Sequence, residues 1–143
     1  MPVTLEKIYD VFYSSINEDL AKHPELDVNV PDNIVDTFLN SAVYEYEENF
    51  GEEIVYDTNK TEILNDIPRH HIRLLGKLIY KSYMERELNS CLKLSNHFNK
   101  RSELQVIGLQ SKIVALKEIT GRLTQEINRM FTRGILKGIS KLG

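Results

Sequence analysis

The stretch Ser102 to Phe131, SELQVIGLQSKIVALKEITGRLTQEINRMF, decides the fold. It contains no proline, and Leu109, Ile113, Leu116, Ile119, Leu123, Ile127 and Met130 recur in steps of four and three. That spacing gathers them on one stripe of an α-helix. A helix of this length reaches about 45 Å, longer than a domain of this size needs for its own core. Gly108 and Gly121 lie inside it and weaken it by about 1 kcal/mol each relative to alanine. Either packing compensates there, or a neighbouring backbone approaches.

Beyond Arg133 the composition changes. Residues 134–143 hold three glycines, two lysines and four large aliphatics. A free tail need not be so apolar, so the segment reads as one that orders on docking to a partner, with a fraying helix end as the alternative. On the other side, Leu94 to Arg101 interrupts the pattern and joins the long helix to the one before it.

That preceding helix starts at Asn65 or Asp66 as cap, has Pro68 in its first turn and runs to about Leu92. Arg69, Arg73, Lys77 and Lys81 recur every four residues along one side of it. Such a row can grip phosphates, but pairing with the acidic second helix is the favoured expectation. Glu53 to Asn65 is the least regular region: Ile54-Val55-Tyr56 reads as extended and Asp57-Thr58-Asn59-Lys60 as a turn.

A helix from Pro31-Asp32 to about Phe50, stopped by Gly51, carries a wide apolar stripe from Ile34 to Tyr46. Its other face holds Asp36, Glu45, Glu47 and Glu48, continued by Glu52 and Glu53. Three readings stand for this acidic cluster: a divalent cation site, a surface that repels nucleic acid, or a solvated face. A connector with alternating Leu26, Val28 and Val30 precedes it. Thr4 caps a first helix from Leu5 to Lys22, which His23-Pro24 ends because the residue before proline avoids the α region. Leu5, Ile8, Tyr9, Phe12, Ile16 and Leu20 form its apolar face. The expected fold is thus all-α: a four-helix bundle with long third and C-terminal helices and an extended C-terminal tail. Residues 1–133 form one domain and 134–143 a docking tail.

Composition narrows function mainly by exclusion. Of 143 residues, 41% are hydrophobic and 27% charged, ordinary for a globular chain. No apolar run is long enough to span a membrane, and no basic-then-apolar leader opens the chain. Cys91 is the only cysteine, which rules out an internal disulfide and fits a reducing compartment; on an apolar stripe it reads as a buried, inert thiol. His70-His71, His97 and His23 give at most a two-ligand match with Asp66, too few for zinc. No glycine-rich phosphate loop or nucleophile motif occurs, so neither an enzyme nor a cofactor is expected. The net charge of −3 conceals an asymmetry. Up to Asp66 the chain holds 16 acidic and 3 basic residues, a balance of −13; from Ile67 it holds 5 acidic and 15 basic, a balance of +10. Opposite surfaces are therefore expected to meet, within one molecule or between copies.

Together these features resemble the head–tail connector, or adaptor, proteins of tailed bacteriophages. The resemblance rests on an opening helix with Leu5-Glu6-Lys7-Ile8-Tyr9-Asp10-Val11-Phe12 and on an aromatic and acidic second helix, Ile34 to Phe50. It continues in the polar turn Asn65-Asp66-Ile67-Pro68 opening the third. It rests most on the joint Ser95-Asn96-His97-Phe98 entering the helix from Leu104 to Met130. The chain departs from the family in having Tyr80 and Tyr83 where a tryptophan is common, and in its glycine-rich end.

The resemblance implies a virion protein, made in the host cytoplasm and forming a homo-oligomeric ring, commonly of twelve copies, at the head–tail junction. The ring would dock on the portal protein, continue the channel through which packaged DNA passes without specific binding, and receive the downstream neck or stopper protein. Arg69, Arg73, Lys77 and Lys81 would then pair with Glu45, Glu48 and Glu52 between subunits. Asp36, Glu47 and Glu53 would face the channel or solvent. Arg129, Arg133, Ile135, Leu136, Lys137, Ile139 and Lys141 would dock on portal or neck. A small helical nucleic-acid-binding regulator, using the basic third and fourth helices, is the alternative.

Overall fold

The computed structural model describes the backbone of residues 2–24, 26, 34–98 and 103–142, and side chains over 2–24, 26, 35–96 and 109–136. Within these residues the chain forms β1 (Val3–Thr4), α1 (Leu5–Lys22), α2 (Ile34–Phe50), β2 (Glu62–Ile63), α3 (Arg69–Phe98) and α4 (Glu103–Leu142). The all-α, four-helix architecture is as the sequence predicts. The alternating connector at Val28 and Val30, and the Pro31-Asp32 start of α2, lie outside the described residues.

α1 buries Leu5, Ile8, Phe12 and Ile16, and leaves Tyr9 and Leu20 half-buried. It ends at His23, whose N–H bonds to the Asp19 carbonyl at 2.9 Å before Pro24. α2 ends where Gly51, at φ +65°, donates to the Glu47 carbonyl at 2.8 Å. Only glycine takes that left-handed stop without strain.

α3 occupies the centre. α1, α2 and α4 all pack on it, so Leu74, Leu75, Leu78, Ile79, Tyr80 and Tyr83 point to several sides and all are buried. A helix surrounded by neighbours has no single apolar stripe. Phe12 lies edge-on to Tyr80 and Tyr83, with ring centroids 5.9 and 5.8 Å apart, which fixes α1 against the middle of α3. At Gly76 the two helices touch. A Cβ there would sit 2.5 Å from the Val11 Cβ and 2.8 Å from the Ile8 carbonyl oxygen, so no side chain fits. α4 runs antiparallel to α3 and buries Ile113, Leu116, Ile119, Leu123 and Ile127 of the predicted seam; Leu109 and Met130 at its ends are half-buried, and Phe131 is buried beside them.

Four expectations need correction, whereas the extended run at 54–56 gains a partner. Tyr56 bridges Ile63, and β2 pairs antiparallel with β1 in the register Val3↔Ile63 and Thr4↔Glu62. This small sheet closes the start of α1: the Leu5 N–H bonds to the Thr61 carbonyl at 3.0 Å, while the Thr4 side chain makes no capping bond. Asn65 does not cap α3 either. Its carboxamide accepts from the Val55 N–H at 2.7 Å and donates to the Glu53 carbonyl at 2.8 Å, acting as a strand partner. α3 runs past Leu92 through Ser95-Asn96 to Phe98, so that part of the presumed joint is helical, and residues 99–101 lie outside the described residues; the serine and asparagine do not outweigh the continuing turn. Finally, residues 134–142 continue α4 instead of forming an extended tail. A Cβ on Gly121 would meet nothing within 4 Å, so among the described residues no backbone approaches there.

Candidate functional site

Charge sits in this fold in two ways, one closed and one open. The closed arrangement joins three helices. Asp19, on α1 and only 3% exposed, accepts the Tyr80 hydroxyl of α3 at 2.5 Å. Its two carboxylate oxygens also accept from Nη2 of Arg122 on α4, at 2.8 and 2.7 Å. A buried carboxylate is tolerable only when so satisfied. Burial, and then the Asp19 hydrogen bond, raise the Tyr80 pKa far above its usual value. Burial works to lower the Arg122 pKa, but the bond and charge of Asp19 outweigh it and leave it raised. No sequence signal marked this triad, because its members lie 61 and 103 residues apart.

The open arrangement contains most of the residues singled out from sequence. Arg73 and Lys77 do not meet α2. Both face Glu126 of α4, at 3.6 and 3.8 Å, and Lys81 pairs with Glu85 one turn on at 3.8 Å. The reason is geometric: that side of α3 looks toward α1 and α4, while α2 packs elsewhere. Among the described residues, no lysine or arginine of α3 pairs with an acid of α2.

Two depressions border these cations. A groove of about 1050 Å³ runs between α1 and the start of α3, with Val11, Ile67 and Ile72 on its floor and Lys7, Arg69 and Lys77 along it. Asp10 and Glu18 stand on its α1 side. A second cleft, about 340 Å³, gathers Arg73, Arg129 and Arg133 around Glu126, with His70 and Met130. The two share His70 and Arg73 and so form one continuous basic face.

The acids of α2 divide. Asp36 accepts the Tyr9 hydroxyl at 2.6 Å and ties α2 to α1. Glu47 accepts the Ile54 N–H at 2.8 Å and anchors the loop after α2. These two are partnered within the chain, Asp36 at an exposed position and Glu47 at a half-buried one. Glu48, Glu52 and Glu53 are exposed, and Glu45 half so. Glu45 and Glu48 border a shallow face with Asn40, Ser41 and Tyr44.

The end of α4 is seated by aromatic contacts. Phe50 stacks on His71 at 4.5 Å and touches Phe131 at 5.4 Å. Tyr46 and the His71 Nδ1 lie 2.7 Å apart, and burial pushes the Tyr46 pKa up to about 12. A Cβ on Gly134 would lie 2.7 Å from Phe50, so that glycine lets α4 press on this cluster. Past it Ile135 and Leu136 are 41% and 59% exposed. The side chains of Lys137, Ile139 and Lys141 lie outside the described residues.

Other candidate chemistry is sparse. Cys91 is a free buried thiol whose pKa burial raises, the opposite of an activated nucleophile. No group of three or more metal-ligating side chains occurs among the described residues. No helix among them is long and apolar enough to cross a membrane. Comparison with known protein families, with curated proteins and with solved structures finds no match to this chain.

Proposed function

We propose that this protein is a structural adaptor of a tailed-phage virion, assembling as a ring at the head–tail junction and catalysing nothing. One observation carries the reading: the exposed acids of α2 and the cations of α3 occupy separate surfaces of one chain and are not spent on each other. Separate, complementary surfaces on a single protomer make a heterologous contact, and such contacts close into rings when the rotation per copy permits. Arg69, and in part Arg73 and Lys77, then meet Glu45, Glu48 and Glu52 of the next copy. The α3–α4 pair provides tall side-to-side contacts. The exposed Ile135 and Leu136, with Arg129 and Arg133, form the docking end toward portal or neck protein. The sequence resemblance to head–tail adaptors supplies the biological setting.

The test is electron microscopy of the protein mixed with the portal encoded near its gene. A closed ring seated on the tail-side face of the portal is expected. Failure to bind that portal overturns the reading.

The cleft of Arg73, Arg129 and Arg133 favours a second reading, a nucleic-acid-binding regulator. Phosphate contacts make such binding fall steeply with salt. Glu126 at the centre of the cleft and the acidic face of α2 count against it.

A further inference from the structure

Tyr44 is out of place for an aromatic side chain. It is 62% exposed, the most exposed tyrosine or phenylalanine among the described residues, while Tyr46, Tyr80 and Tyr83 of the same bundle are fully buried. It stands on the outer face of α2, one residue before Glu45 and one turn before Glu48, whose carboxylate beside it raises the pKa of its hydroxyl. The patch is therefore an aromatic ring bordered by two carboxylates.

The groove between α1 and α3 is its chemical complement. Its floor is apolar, and its length carries four cations against two carboxylates. Arg73 and Lys77 already share Glu126, whereas Lys7 and Arg69 have no ion-pair partner among the described residues. The groove flanks the tight crossing at Gly76, so its walls are two rigid helices in contact. Aromatic anchors that enter a preformed pocket, with charges at the rim, are the usual high-energy contacts of protein interfaces. An apolar floor suits a ring better than a phosphate.

We propose that Tyr44 inserts into the α1/α3 groove of a second copy of this chain, with Glu45 and Glu48 meeting Lys7 and Arg69. The inference rests on the ring reading and names the contact that builds the ring. Knob and groove are distinct surfaces, so every copy offers one of each, and the contact propagates instead of stopping at a symmetric dimer.

A photoreactive benzophenone amino acid in place of Tyr44, in the full chain, tests it. Mixing isotope-labelled and unlabelled chains identifies bonds between copies. Illumination is expected to join position 44 to residues 7–18 or 67–77 of another chain. Bonds confined to one chain, bonds to another surface, or none at the highest soluble concentration overturn the proposal.

A charge exchange provides a second measure. Glu45→Lys with Glu48→Lys, or Lys7→Glu with Arg69→Glu, each lowers the cross-link yield at least about tenfold, and mixing the two variants restores it. Circular dichroism confirms that both remain folded, since all four residues lie at the surface. Rings that persist on the portal in both variants sink this contact and leave the ring reading intact. A contact that forms without any ring on the portal keeps the knob and sinks the adaptor. Duplex DNA that displaces the cross-link at low salt assigns the groove to phosphate and overturns the proposal.

Discussion

Two charge clusters join α3 to α4, and they differ in nearly every physical respect. The triad of Asp19, Tyr80 and Arg122 has its carboxylate buried and its bonds at 2.5 to 2.8 Å. The Arg73–Lys77–Glu126 cluster is longer, at 3.6 and 3.8 Å, with the Arg73 side chain 64% exposed. Short, dry, fully satisfied charge fixes one arrangement of helices, because any alternative strands a buried ion. Longer pairs with an exposed arginine contribute little to folding. The same residue types thus fix the helix packing in one cluster and line a partly exposed face in the other.

The sharpest way to break this contrast is Asp19→Ala. It leaves the Tyr80 hydroxyl buried without its acceptor and Arg122 unpaired, and is expected to destabilise the fold by about 3 kcal/mol, read from urea unfolding. A loss below about 1 kcal/mol would place the triad in the same class as the surface cluster. Next comes Gly76→Ala. Its methyl would collide with Val11 and force α1 off α3, at a cost of about 2 kcal/mol by the same measurement. An unchanged midpoint would mean that α1 is held by the triad alone. Glu126→Gln is expected to change stability by no more than about 0.5 kcal/mol while freeing two cations, so duplex DNA or an acidic peptide should bind more tightly. A large stability loss there would erase the distinction between the two clusters.

The smallest effect concerns Asp57, outside both clusters. Its carboxylate accepts the Thr61 and Glu62 N–H groups at 2.7 and 3.0 Å. The backbone bond from Glu62, then the Thr61 hydroxyl, hold its pKa below the ordinary 3.8. A lowered carboxylate pKa stabilises the fold above the unfolded value and loses that contribution as pH falls through the folded one. Amide exchange at Leu5, whose N–H bonds to Thr61, should therefore accelerate relative to the core below about pH 4, and Asp57→Asn should remove that pH dependence.

The sequence was most legible where local chemistry decides. The bounds of α1, the glycine stop at Gly51 and the seam of α4 follow from periodicity and from two punctuating residues. It was least legible where the deciding contact is distant. Val3 and Ile63 pair across 60 residues, and two-residue strands carry no periodic signal. Ser95-Asn96 looked like a break because such residues favour turns, yet helix flanking them overrode that preference. Of the candidate site, the row from Arg69 to Lys81 was visible as a row. Its partner Glu126 was not, because the row's facing depends on how α3 docks. Tyr44 was hidden among apolar neighbours on α2, and only its exposure sets it apart.

Gly134 marks a point, near the end of the described side chains, at which α4 is clamped by Phe50 and His71. The helical backbone continues for about 12 Å beyond it, through Leu142. A pull or push along that end of α4 reaches the Phe50 ring, and with it the end of α2 and the glycine that stops it, through direct contact.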